Sequence, residues 1–265
     1  MRIADFLVPR RRDAAPAAAV SGPRIASVVA VELVSPRMRR VILQGETLSE
    51  IATVGFDDHI KLMLPDRALF SVDDTDGVQW TRRNYTIRRF DPASGLLTLD
   101  LALHGHGPAA GWARDVRVGM VVGIMGPKRT RHSAGGRDGT ILIGDETALP
   151  AIGRCLDEGM LESAVTAFVE IADEGERQEI GLRACDRLTW LPRSGRAAGD
   201  AGEIVSALRQ FEWPGGDVRV WIAAEAEVAR VVRAYLIEEE AVPRDHIRAA
   251  GYWRLGVQDG GLRLK

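Results

Sequence analysis

An antiparallel β-barrel followed by a parallel α/β domain is the fold class the sequence predicts, and three observations predict it. Residues 25–126 hold short β-rich runs broken by Gly and Pro, with almost no helical pattern. Past Gly135-Gly136, strand-like runs alternate with helical ones, the signature of βαβ units on a parallel sheet. The length of 265 residues suits two domains at roughly 100–200 residues each. The expected division is a basic tail over 1–22, a barrel domain over 23–134 and an α/β domain over 135–265.

In chain order, the tail has no amphipathic pattern around Pro16 and ends at Ser21-Gly22-Pro23, so no element is expected there. Residues 28–33 and 38–43 read as strands separated by Ser35-Pro36, and 59–64 as another. A strand over 85–89 runs into the turn Asp91-Pro92-Ala93-Ser94-Gly95. Beyond it Leu97, Leu99, Leu101 and Leu103 recur with period two, which predicts a hairpin with one buried leucine face. A strand over 116–125 closes this half at Gly126-Pro127. In the second half, strands are expected at 140–143, 165–171, 218–223 and 247–252. Helices are expected after Thr147 to about Gly159, at 204–208, and along the face of Val228, Val231, Val232, Tyr235 and Leu236.

Composition narrows the function classes. Basic and acidic residues number 35 and 37, leaving a net charge of −2 and no global case for nucleic-acid or membrane binding. Cys155 and Cys185 form no CxxC pair, so zinc-ribbon and thioredoxin readings lapse. No apolar run approaches the about 18 residues of a spanning helix. Arg10 to Arg12 follow rather than precede the short apolar stretch, against a secretory signal, and the cytoplasm is the expected compartment.

Three segments can carry chemistry. In Arg82-Arg83-Asn84-Tyr85-Thr86, Arg83 and Tyr85 share one face of a strand. An arginine there can clamp a phosphate beside a stacking ring, although spacing alone favours a surface strand with a half-buried tyrosine. In His104-Gly105-His106-Gly107-Pro108-Ala109-Ala110-Gly111-Trp112, small residues let backbone N–H groups approach an anion ahead of a short helix. A plain turn fits as well, and an HxH metal site has no third ligand nearby. Gly144-Asp145-Glu146-Thr147-Ala148-Leu149-Pro150 follows the first strand of the α/β half but lacks both GxGxxG and GK[ST].

Together these segments resemble the siderophore-interacting proteins, ferric-siderophore reductases of the ferredoxin-reductase-like flavoprotein superfamily. The resemblance runs through Arg83-x-Tyr85-Thr86, His104, Gly107-Pro108-Ala109, Trp112-Ala113, Gly126-Pro127, Gly144 to Ile152, and Gly251-Tyr252-Trp253-Arg254-x-Gly256. It implies a six-stranded FAD-binding barrel and an NAD(P)H-binding α/β domain. By that resemblance Arg83, Asn84, Tyr85, Thr86 and His104 hold FAD, with Gly107, Pro108, Ala109, Ala110 and Trp112 around its pyrophosphate. Asp145, Glu146 and Thr147 face the nicotinamide, and Trp253 lies near the flavin's other face.

The activity implied is hydride transfer from NAD(P)H to flavin and single-electron transfer to siderophore-bound Fe(III), releasing Fe(II). No side chain is needed as nucleophile or general base, and no metal ligands are expected. Lys61, where the family carries a lysine, and Arg254 are the expected contacts to an anionic catecholate or mixed chelate. Lys128, Arg129, Arg131 and His132 can extend that basic rim, whereas His59 and His246 are read as structural. Asp173-Glu174 after the second α/β strand favours NADH. Arg177 offsets that charge and the resemblance leans to NADPH, so NADPH is the expectation. A monomer is expected. The alternatives are a flavin reductase with another electron acceptor and a non-catalytic siderophore or flavin binder.

Overall fold

The structure is a computed structural model that describes residues 23–103, 108–128, 135–257 and 262–263. The first half is an antiparallel sheet of β1 (Arg24–Ser35), β2 (Met38–Gln44), β3 (His59–Pro65), β4 (Trp80–Thr86), β5 (Arg89–Asp91), β6 (Leu96–Ala102) and β7 (Val121–Lys128). The seven strands run in the order β4-β3-β7-β1-β2-β6-β5. Its two ends, β4 and β5, are joined by only Ile87 and Arg88. There the chain changes partner: Ile87 N–H donates to Asp58 O at 2.9 Å, and Arg88 N–H to Thr98 O at 3.0 Å. The sheet thus curls back on itself through one bent strand, and the expected six-stranded barrel has that strand counted as two. A strand over 85–89 is corrected accordingly, because it straddles the break.

The leucine period holds. Leu97, Leu99 and Leu101 are fully buried with Val41, Leu43, Ile60 and Leu62 in the barrel core. Burying each such side chain is worth ~1.5–3 kcal/mol relative to exposure. Asp91 shapes the β5–β6 turn by accepting from Ala93 N at 3.0 Å, and Gly95 completes it at φ 65°. The helix α1 (Pro108–Asp115) follows β6 and buries Trp112 and Ala113 against the same core. The expected strand over 116–125 begins only at Val121, because Arg117 to Met120 form a turn in which Gly119 takes φ 89°.

The second half holds β8 (Gly139–Gly144), α2 (Leu149–Asp157), β9 (Val165–Ile171), β10 (Arg187–Pro192), α3 (Gly202–Arg209), β11 (Val218–Glu225), α4 (Ala226–Glu238), β12 (Ile247–Trp253) and β13 (Leu262–Arg263). The order is β10-β9-β8-β11-β12-β13, parallel except for the last pair. Strand order reverses between β8 and β11, which makes their carboxyl ends the switch point where open α/β sheets bind ligands. Gly144 ends β8 because a Cβ there would lie 2.4 Å from Ala148 Cβ, so only glycine lets α2 start this close. The edge strand β10 was not expected. No helix among the described residues is long and apolar enough to cross a membrane.

The two sheets meet across a polar seam. In the loop before β3, Asp58 accepts from Thr53 Oγ1 (3.0 Å), Val54 N (2.9 Å) and Gly55 N (3.0 Å). Its neighbour Asp57 reaches the parallel sheet, accepting from Trp221 Nε1 at 3.2 Å and pairing with Arg248 at 2.7 Å. Phe56 packs edge-on against Trp221, with ring centroids 5.4 Å apart. From α2, buried Arg154 donates to Thr53 Oγ1 (3.0 Å) and Gly55 O (3.1 Å). Arg88 pairs with both Asp100 of β6 and Asp157 of α2.

Candidate functional site

Along β4, alternation puts Arg83 and Tyr85 on one face, half-buried, and leaves Arg82 and Asn84 exposed on the other. Antiparallel register sets Tyr85 across from Ile60 and Arg83 across from Leu62, both core residues. Tyr85 packs on the barrel core, and burial pushes its phenol up to about 12, so the ring stays neutral. On its other side β4 pairs with no strand among the described residues, which leaves backbone donors and acceptors along this edge for a ligand.

Lys61 is exposed on the opposite face of β3–β4, across from Asn84. His59 shares that face, cross-strand from Thr86 and Lys128. Burial, and then the Lys128 charge, lowers its pKa, while a 3.5 Å contact to Asp57 O opposes the shift. The predicted residues therefore divide between two faces meeting at the end of β4: Arg83 and Tyr85 on one, Lys61, Asn84 and Thr86 on the other.

The start of α1 bears only Ala109, Ala110 and Gly111 after Pro108, and a Cβ on Gly111 would meet nothing within 4 Å. Buried Trp112 Nε1 has no hydrogen-bond partner among the described residues. His104 and Gly107 lie outside the described residues, as do Arg129, Arg131 and His132.

At the switch point, Asp145 is a buried hub. Its Oδ1 accepts from Thr147 N (2.8 Å) and Thr147 Oγ1 (2.6 Å). Its Oδ2 accepts from Glu225 N and from Trp253 Nε1, both at 2.8 Å. Burial, then Glu146, raises its pKa, and the Thr147 and Trp253 hydrogen bonds pull it down. Glu146 pairs with Arg193, which also donates to buried Glu170 at 2.9 Å. Burial lifts Glu170 to about 7 against the pull of Arg193.

Thr147 and Trp253 are thus brought to Asp145, and Glu146 to Arg193. Arg254 is exposed next to Trp253, and Leu255 N donates to Glu225 Oε1 at 3.1 Å. Beside Trp253, Tyr252 crosses to the barrel, where its phenol meets Thr86; burial and Asp57 raise its pKa. Glu225, Arg193, Glu170, Tyr252, Asp57 and Arg154 were missed as site-building residues. An arginine inside the apolar segment 149–156 and a glutamate at the start of α4 were the signals available; the others pair with residues too distant in sequence for spacing to reveal them.

Comparison with known proteins agrees with this geometry. The family described as siderophore-interacting protein matches residues 137–256, and the siderophore-interacting FAD-binding domain matches residues 27–131. A siderophore utilization protein from T. fusca superposes with TM-score 0.77 at 36% identity, covering 92% of this chain and 95% of that one. The ferric vibriobactin reductase ViuB of Vibrio cholerae is 29% identical over 249 residues, 89% of this chain and 91% of its own. An NADPH-dependent ferric-chelate reductase of Escherichia coli is 27% identical over 239 residues, 86% of this chain and 91% of its own. With both domain families in order and a 36% identical structure covering nearly the whole chain, this protein belongs to the siderophore-interacting protein family and carries its FAD-binding domain.

Proposed function

We propose that the protein reduces ferric siderophores with electrons from NAD(P)H through FAD held on the barrel, releasing Fe(II). The observation that carries this reading is the meeting of two edges. The open edge of β4, with Arg83, Tyr85 and Thr86, ends against Tyr252, one residue from Trp253 at the carboxyl side of the parallel sheet. A flavin ligand on the first edge and a nicotinamide ligand on the second would lie side by side. The activities named for the Vibrio cholerae and Escherichia coli relatives support the same chemistry.

The residues present fit FAD. Tyr85 offers a half-buried ring for stacking, and Arg83 a guanidinium on the same face for phosphate. At Gly111 no described atom would meet an added Cβ, and small Ala109 and Ala110 precede it on the first turn of α1, where backbone N–H groups favour a pyrophosphate. With Asn84, Thr86, His104, Gly107, Pro108 and Trp112 these residues would hold the cofactor. When bound, FAD supplies the conversion between a two-electron donor and one-electron acceptors.

Trp253, fixed through its Nε1 by Asp145, presents an indole face rather than an N–H to a ring ligand. Asp145, Glu146 and Thr147 line the nicotinamide end, where the carboxyl groups of Asp145 and Glu146 suit a ring that becomes cationic on oxidation. Lys61 and Arg254 attract the anionic chelate, a catecholate or mixed complex. Oxygen-rich chelators hold Fe(II) less tightly than Fe(III), so reduction releases the metal. The reading takes the protein as a monomer in the cytoplasm, where reduced nicotinamide is supplied.

One hydride carries two electrons, so each NAD(P)H consumed yields NAD(P)⁺, one proton and two Fe(II). The test is to count Fe(II), trapped by a chromogenic chelator, against nicotinamide oxidised by FAD-supplemented protein. A ratio near two supports the reading. Nicotinamide oxidation that yields no Fe(II) points instead to a flavin reductase with another acceptor.

A further inference from the structure

Coenzyme phosphates in doubly wound folds commonly rest on a helix N-terminus at the switch point. Here the Glu225 carboxylate closes the N-terminus of α4, and the Asp145 carboxylate stands just ahead of that of α2. Asp145 takes Thr147 N at 2.8 Å just ahead of α2. Glu225 caps α4 by accepting from Glu227 N at 2.5 Å and Val228 N at 3.1 Å. Glu146 and Glu170 stand nearby, with Arg193 between them. A phosphate placed at this point would face carboxylates, so the anionic part of the coenzyme needs cations elsewhere along the carboxyl edge.

Two arginines stand past the end of β9. Buried Glu176 accepts from Ser35 Oγ at 2.6 Å and from Arg37 N at 3.2 Å, which seats the β1–β2 turn of the barrel against the loop after β9. This brings the Arg37 guanidinium to 3.7 Å from Asp173 Oδ2, with its side chain 58% exposed. Arg177 pairs with Glu174 at 2.9 Å and is likewise half exposed. Exposed pairs of this kind are weakly held and readily exchanged.

The segment after the second strand of a doubly wound sheet is where the adenosine ribose lies. An acidic residue there takes the 2′-hydroxyl, and a nearby arginine accommodates a 2′-phosphate. Asp173 occupies that place and Arg37 covers it. We propose that Arg37, a residue of the barrel domain, binds the 2′-phosphate of the coenzyme with Arg177 beside it, and so sets a preference for NADPH. A phosphate dianion offers a guanidinium paired charge-assisted hydrogen bonds that exposed Asp173 cannot match. The barrel thereby reads the coenzyme as well as holding the flavin. The inference rests on the proposed use of NAD(P)H in this crevice.

The test is calorimetric titration of the protein with adenosine 2′,5′-bisphosphate and with 5′-AMP, which needs no turnover. The wild type is expected to bind the bisphosphate more tightly. Arg37→Ala is expected to lower that affinity roughly tenfold and leave 5′-AMP unchanged, Arg37→Lys losing part of it. Arg37→Ala also loses a 4.0 Å pairing with Glu176 Oε1, but the Glu176 bonds to Ser35 Oγ and Arg37 N survive both changes, and a denaturant melt of each variant checks the fold. In turnover, Arg37→Ala should raise KM for NADPH at constant kcat and leave NADH kinetics alone. Asp173→Asn should tighten the bisphosphate. Equal binding of the two nucleotides by the wild type, or an Arg37→Ala ratio like that of the wild type, overturns the inference. A normal bisphosphate preference that depends on Arg37, in a protein that reduces no ferric chelate, would sink the proposed reaction and leave this inference standing.

Discussion

At the residue scale, the register of β3 and β4 puts Tyr85 and Lys61 on opposite faces. Tyr85→Ala should weaken FAD binding roughly tenfold or more through lost stacking, and Tyr85→Phe should keep most of it. Titration of flavin fluorescence quenching checks this; equal affinity for the alanine variant would remove the ring from the flavin site. Lys61→Ala should raise KM for an anionic ferric chelate and leave flavin affinity alone. The difference should shrink as salt is added, since an exposed charge acts through a screened field. Steady-state rates at two ionic strengths test it. The same-face relation of Arg83 and Tyr85 was legible from a spacing of two. The saturation of Asp145 was not, because Glu225 N and Trp253 Nε1 arrive from positions 80 and 108 residues away.

At the scale of elements, periodicity revealed those strands and helices that bury one face. The leucines of β6 and the valine face of α4 are of this kind. Two features escaped for identifiable reasons. The break between β4 and β5 comes from barrel closure, a long-range exchange of partners at Ile87 and Arg88 with no local sign. The edge strand β10 is short, ends in Pro192 and has a mixed pattern of exposure. Besides its parallel ladder with β9, β10 is tied at its start by Asp186, which accepts from Val165 N at 2.9 Å and from Arg183 Nε at 2.8 Å. The Arg183 guanidinium beside Asp186 lowers its pKa from 3.8 to about 2. A depressed carboxylate stabilises the fold above its unfolded pKa, and that stability is lost as pH falls from about 4 to about 2. Asp186→Asn should therefore flatten the acid limb of stability in that window and cost about 1–2 kcal/mol at neutral pH. Denaturant melts at pH 2.5 and 7 measure both effects; parallel curves for the two proteins would show that the pair contributes nothing.

At the scale of the whole molecule, the two sheets are tied by groups that would be costly to leave unpaired. Asp57 is 4% exposed and holds both Trp221 and Arg248 of the parallel sheet. Asp57→Ala should destabilise by about 3 kcal/mol, because both partners are stranded, whereas Trp221→Phe removes one bond for about 1 kcal/mol. If the seam couples the halves, wild-type unfolding is a single transition and Asp57→Ala separates it into two; an unchanged single transition would contradict that coupling.

The fold class, a barrel followed by a parallel α/β sheet, could be read from the chain. The seam that sets them edge to edge could not, since its bonds join residues up to 164 positions apart. The most direct test of the central claim is anaerobic visible absorbance of FAD-loaded protein, mixed first with NADPH or NADH and then with a ferric catecholate. The expected result is bleaching of the flavin band by a nicotinamide, with NADPH the faster, and its return as the chelate is reduced and Fe(II) is trapped. A flavin spectrum that neither nicotinamide alters would contradict it and leave the protein a binder.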